Sequence, residues 1–178
     1  MSAPPPGVAL RPAIAGDAVA LAAVYRPHVE RGTATFELEP PDAAEMQRRW
    51  REVTSQGFPY LVAVASGDVL GYAYAAPYRP RAAYRFTLED SIYLHEGARG
   101  KGIGRALLAA LIDACERVGA RQMIAVIGDS DNASSIGVHA ALGFRHVGVL
   151  ASVGNKFSRW LDVVLMQRAL GPGDGVPV

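Results

Sequence analysis

One cysteine, Cys115, stands among 178 residues, so no internal disulfide can staple this chain. A lone thiol suits a reducing compartment, and a cytoplasmic protein is expected. Neither sign of charge dominates: 18 Lys and Arg face 17 Asp and Glu, for a formal net charge of +1. Broad electrostatic binding to nucleic acid or to an anionic membrane is therefore not expected. No apolar run approaches the ~20 residues that cross a bilayer. The opening Met1-Ser-Ala-Pro-Pro-Pro-Gly7 has neither a basic n-region nor an apolar h-region, and no signal peptide is read there. His28, His95 and His146 share no metal-ligand spacing with one another or with Cys115, so no metal site is expected. What the chain does have is 50% hydrophobic residues, enough at this length for one domain with a real core.

Proline and glycine set the limits of that domain. Residues 1–7 and 171–178 are too poor in apolar side chains to order by burial and are expected to be tails, leaving one domain over 8–170. Val8 to Arg11 reads as a strand. Asp17 is expected to N-cap a helix carrying Val19, Leu21, Ala22, Val24 and Tyr25 until Pro27 disturbs it. Thr33 to Glu39 is β-like in pattern. Asp42-Ala-Ala-Glu45 has capping-box spacing and opens a polar helix to about Ser55, with Met46 and Trp50 as its buried stripe. Tyr60 to Ala65 and Val69 to Ala76 flank a Ser-Gly-Asp turn as a hairpin, and Arg85 to Leu94 reads as a strand. A helix from Gly104 to Val118 carries Ala106, Leu107, Ala110, Leu111 and Ala114 at helical spacing, with Cys115 as packing. Met123 to Ile127 is a buried-looking strand, Ala133 to Leu142 a helix stopped at Gly143, and Phe144–Ser152 and Leu161–Gln167 two closing strands. The order β-α-α-β-β-β-α-β-α-β-β describes a mixed α/β domain.

Chemistry concentrates at Arg99-Gly100-Lys101-Gly102-Ile103-Gly104-Arg105, between a strand and a helix. Glycines at alternate positions free the backbone and leave no Cβ to block close approach. The helix that follows offers unpaired N–H groups and its positive dipole end, and Arg99, Lys101 and Arg105 add charge; together these can cradle a pyrophosphate. A P-loop is excluded, because Ile103 and Gly104 occupy places where that motif carries other residues. A dinucleotide fingerprint is excluded because Leu107 stands where a third small residue is required.

Arg99-x-x-Gly102-x-Gly104 resembles the acetyl-CoA pyrophosphate loop of the GCN5-related N-acetyltransferases. Asn132, Ser135, His139, Gly143 and Phe144 follow at the spacing of that family's second signature. Within it the chain is similar to the phosphinothricin and methionine sulfoximine acetyltransferases, through Thr33–Glu37, Gly71–Pro77, Arg81–Glu89, Ala125–Gly128, His139–Gly143 and Trp160–Asp162. The resemblance implies a mixed, mostly antiparallel sheet flanked by helices, with acetyl-CoA in a cleft between splayed central strands and no metal. It implies direct transfer from the thioester to an amine, in a homodimer.

The resemblance also implies roles. A largely protonated amine needs a base, and Glu89 matches the subgroup's acid four residues before Tyr93; Asp90 is the rival, since neighbouring strand positions face opposite sides. Ile92, Tyr93 and Leu94 would carry the acyl donor's arm along a strand whose backbone N–H polarises the carbonyl. Arg99, Gly100, Lys101, Gly102, Ile103, Gly104 and Arg105 would take the phosphates. Asn132 and Ser135 would reach the pantetheine, with an N-cap as the alternative reading of Asn132. His139 occupies the position where many relatives carry Tyr and is the candidate acid for the leaving thiolate. Phe36, Arg81, Tyr84 and Lys156 would line the amino-acid pocket, guanidinium being suited to carboxylate, phosphinate or sulfone oxygens. The expected activity is acetylation of the α-amine of a small acidic amino-acid analogue. Transfer to a peptide or protein N-terminus, and a non-catalytic acyl-CoA sensor, are the alternatives.

Overall fold

The computed structural model describes residues 3–177. Its elements in chain order are β1 (Ala9–Pro12), α1 (Ala18–Glu30), α2 (Ala43–Ser55), β2 (Tyr60–Ala65), β3 (Asp68–Pro77), β4 (Thr87–Leu94), α3 (Ile103–Arg117), β5 (Gln122–Gly128), α4 (Ala133–Ala141), β6 (Arg145–Lys156) and β7 (Arg159–Ala169). The order read from the sequence is the order observed. The strands form one seven-stranded sheet in the order β1-β2-β3-β4-β5-β7-β6. Every neighbouring pair is antiparallel except β4 with β5.

Strand alternation gives the sheet two apolar faces. On one, Ala73, Ala75, Leu88, Met123 and Ala125 pack under α3, whose Ile103, Leu107, Leu108, Leu111, Ile112 and Cys115 form its buried stripe. Cys115 belongs to this core, and burial, ahead of the charge of Asp90, pushes its thiol up to about 12. On the other face Tyr60, Val62 and Tyr72 pack against Leu21, Val24, Tyr25 and Val29 of α1 and Met46 and Val53 of α2, with Trp50 partly buried beside them.

Three local expectations are corrected. Asp17 does not cap α1 with its side chain. Its carboxylate accepts from both Nη1 and Nη2 of Arg11 at 2.7 Å and from the Ile14 amide at 2.8 Å, because a fixed cation outcompetes a helix amide. Pro27 does not end α1: it sits in the last turn, and its carbonyl accepts from the Arg31 amide at 3.0 Å. Thr33 to Glu39 is no strand, since no neighbouring strand pairs with it, and it runs as an irregular connection. Asp42 does cap α2, accepting from the Glu45 amide at 2.8 Å.

Both expected tails make hydrogen bonds. The Pro5 carbonyl accepts from Val8 N at 3.1 Å, and the Gly173 carbonyl from Nη1 of Arg121 at 3.2 Å. Met1, Ser2 and Val178 lie outside the described residues. No helix is long and apolar enough to cross a membrane among the described residues.

The α3 stripe is the main support of the sheet that carries the site. Leu111→Ala, at a position with no solvent exposure, is expected to cost about 2–5 kcal/mol. Urea unfolding with an unchanged m value checks this.

Candidate active site

Strands β4 and β5 pair only from Thr87–Gln122 to Asp90–Ala125. Beyond that point both continue, β4 to Leu94 and β5 to Gly128, but they part. A cavity of about 580 Å³ occupies the gap, within the range that holds a sizeable small molecule. Ile92, Tyr93 and Leu94 line it from β4, and Ala125, Val126 and Ile127 from β5. Alternate amides of an unpaired strand edge face outward, so β4 offers backbone groups to whatever enters.

The glycine loop closes one end. Gly100 and Gly102 have φ of 71° and 79°, the left-handed region where a side chain is strained, and a Cβ on Gly100 would meet open space. Gly102 is also the N-cap of α3, and the amide of Ala106 is the first to bond back, to the Gly102 carbonyl at 3.1 Å. The amides before it point out of the helix end. Arg99, Gly100, Gly102, Gly104 and Arg105 all line the cavity. Lys101 is exposed outside it, and the Ile103 side chain is buried in the core, so only the backbone of Ile103 is available to a ligand. A left-handed cradle, a helix N-terminus, two arginines and a free strand edge fit an elongated ligand with phosphates at one end and amides along its length.

Asp90 and His139 form the wall opposite. His139 Nε2 lies 2.9 Å from Asp90 Oδ2, and its Nδ1 lies 2.7 Å from the Ser135 carbonyl. Burial pulls the imidazole down, but the Asp90 contact and charge outweigh it, and the net shift is upward. Asn132 caps α4, its Oδ1 accepting from the Ser135 amide at 3.3 Å, and both residues also line the cavity. Asp90 is the member of the acidic pair on this wall. Glu89, its neighbour, is half-buried on the opposite face of β4, the face of Ser91 and Tyr93. Burial raises its pKa, the charge of Asp90 adds to this, and Arg79 opposes it.

The expected substrate residues are not all brought together. Arg81 and Tyr84 are exposed on the connection before β4, with Tyr84 edge-on to Tyr78 at 5.9 Å. Phe36 packs on Gly154, where any Cβ would overlap its ring. Lys156 is corrected: it is 2% exposed, and its Nζ donates to the carbonyls of Thr35 at 2.9 Å and His28 at 3.4 Å. That ammonium holds the 33–36 connection against the end of α1, because two backbone carbonyls there have no strand partner.

His28 was not singled out for the site, yet it lines the cavity, donates from Nε2 to the Leu94 carbonyl at 2.9 Å and packs edge-on to Tyr93 at 5.2 Å. Its spacing three beyond the buried Tyr25 was the available signal. Thr33 and Ala34 also line it, and the Thr33 carbonyl approaches Gly128 so closely that a Cβ there would lie 2.7 Å away. Among the described residues no three His, Cys, Asp or Glu side chains converge as a metal ion would need.

This parted sheet over a left-handed glycine cradle is the architecture of an acyltransferase, and the chain belongs to the acetyltransferase (GNAT) family, whose model matches residues 23–144. It is 57% identical over 158 residues to the phosphinothricin N-acetyltransferase of Alcaligenes faecalis, covering 89% of this chain and 80% of that one. It is 41% identical to an L-methionine sulfoximine/L-methionine sulfone acetyltransferase of Pseudomonas aeruginosa, covering 94% and 98%. Among solved structures, a phosphinothricin acetyltransferase from Sinorhizobium meliloti in complex with acetyl-CoA superposes with a TM-score of 0.93. It is 49% identical, with 96% of this chain and 92% of that one covered.

Lys156→Met leaves two buried carbonyls without a donor, and a stability loss of about 2 kcal/mol is expected, read by chemical denaturation.

Proposed function

We propose that this protein transfers the acetyl group of acetyl-CoA to the α-amine of a small acidic amino-acid analogue of the phosphinothricin, methionine sulfoximine or methionine sulfone type. The observation that carries the reading is the gap where β4 and β5 part. It runs from the glycine cradle along β4 to Tyr93, Ser91 and Asp90; Glu89, one residue further on and on the strand face of Ser91 and Tyr93, stands just outside the lining. The similarity to enzymes named for those acceptors supports the substrate class.

Each group has a task in direct transfer. Glu89 takes a proton from the amine, directly or through water, since a primary amine is largely protonated at neutral pH. The unpaired edge of β4 at Ile92–Leu94 supplies a backbone N–H to the oxyanion that forms on the thioester carbonyl. Arg99, Arg105 and the amides at the start of α3 hold the phosphates, and Asn132 and Ser135 meet the pantetheine arm. His139 supplies the cation, and a proton, at the sulfur that leaves. Arg79 is close enough to affect Glu89, and with Arg81 and Tyr84, on the connection before β4, it is assigned to the acceptor's acidic end. Phe36, seated on Gly154, bounds the acceptor side.

The homodimer belongs to the same proposal. Strand β6 is one of the sheet's two edges, and Val147, Val149, Leu150, Val153, Phe157 and Trp160 of the β6–β7 hairpin are exposed, Trp160 by 70%. An apolar edge strand of this length invites pairing, and a second copy of the same hairpin is its self-complementary partner. We place the protein in the cytoplasm, where the buried Cys115 stays reduced.

Glu89→Gln is expected to lower kcat for phosphinothricin by about 10²–10⁴-fold with little change in the KM for acetyl-CoA. Because burial holds the Glu89 carboxyl above its ordinary range, the wild-type rate should fall on the acid side at a higher pH than an exposed glutamate would dictate. The Gln variant should lack that limb. Full activity in Glu89→Gln would contradict the assignment. For the dimer, Val149→Asp with Val153→Asp should give a monomer by sedimentation velocity, against a wild-type dimer.

A further inference from the structure

We propose that Asp90 is a positioning residue which holds His139 doubly protonated at the cleft wall. The proposal rests on the reading of the cleft as the site of a thioester acyl donor. Both ring nitrogens of His139 face oxygen acceptors. Nδ1 lies 2.7 Å from the Ser135 carbonyl, which has no proton to give, so Nδ1 donates. Nε2 lies 2.9 Å from Asp90 Oδ2, and an ionised carboxylate likewise only accepts. We assign the proton of the Asp90 contact to Nε2, which makes the ring an imidazolium paired with an aspartate. Phe144 packs edge-on to it at 4.9 Å and fixes its plane.

Asp90 is costly where it stands. Its Oδ1 is buried and has no hydrogen-bond partner among the described residues, the kind of loss that a fold carries for function rather than for stability. The His139 ring at Oδ2 is the one side-chain partner Asp90 has among the described residues. The other charged or titratable groups around the cleft are Glu89 and Tyr93 on β4, Cys115 on α3, Arg99 and Arg105 at the glycine loop, Asp129 and Asp131 before α4, and His28 on α1. None of them bonds either ring nitrogen, so control of the ring falls to Asp90.

The step this serves balances simply. As the C–S bond breaks, the electron pair stays on sulfur; the Nε2–H gives up its hydrogen bond to Asp90 Oδ2, and its proton passes to that sulfur. The ring keeps its Nδ1 proton on the Ser135 carbonyl and becomes neutral beside an ionised Asp90. Water restores the Nε2 proton once the thiol has left. His139 is the catalytic residue of this step, and Asp90 acts through it.

The test is ¹⁵N NMR of the His139 ring in the wild type, Asp90→Asn and Asp90→Ser, together with the pH dependence of kcat. In the wild type both nitrogens should be protonated at neutral pH. In either variant the ring should titrate about 1–3 pH units lower, since the opposing carboxylate is gone. The alkaline limb of kcat should move down by the same amount, while the KM for acetyl-CoA changes little. A neutral ring in the wild type, with the proton on Asp90, would overturn the proposal, as would an unchanged titration in the variants. The NMR readout needs no turnover, so it stands or falls separately from the acceptor and from Glu89. Asp90→Ser keeps the test available should Asp90→Asn fold poorly.

Discussion

The structure depends on one discontinuity: β4 and β5 pair as far as Asp90 and Ala125 and then separate. A sheet that opens exposes backbone donors and acceptors in its own middle, which is stable only if the rest of the fold braces the opening. Here α3 braces one face with a continuous apolar stripe. The Tyr60, Tyr72, Tyr74 and Tyr93 cluster, with α1 and α2, braces the other. His28 takes the Leu94 carbonyl that the parted strand leaves behind.

The same opening explains why the site draws on elements far apart in the chain. The glycine cradle sits at one end of it because α3 begins there. Asp90 and His139 meet across it because α4 follows β5 directly. The 33–39 connection reaches the cavity through Thr33 and Ala34 without any strand pairing. Side chains replace the missing ladder: Tyr25 and Arg49 bond Glu37, at 3.0 Å and at 2.6 and 3.1 Å, and Lys156 bonds Thr35 and His28. A segment held this way has its geometry set by three distant residues rather than by its own backbone.

That division marks what the amino-acid order made legible. The element order, the α3 stripe, the Asp42 cap and the Gly100–Gly104 cradle depend on local periodicity and local backbone freedom, and all were readable. Thr33 to Glu39 misled because its period-two alternation is that of a strand, while the absence of a partner strand is not a local property. Asp17 misled because the competing cation, Arg11, lies upstream on β1. Lys156 matched a family position, but its buried carbonyl partners come from α1 and the following connection. The Glu89–Asp90 ambiguity is a question of which strand face meets which helix, which no local pattern carries; in the fold Asp90 lines the cavity and Glu89 does not.

The most direct test of the account is steady-state, acetyl-CoA-dependent thiol release with phosphinothricin, methionine sulfoximine, methionine sulfone, a short peptide and an aminoglycoside as acceptors. Turnover confined to the three amino-acid analogues is the expected result. Turnover on the peptide alone, or tight acetyl-CoA binding with no turnover on any acceptor, would contradict it.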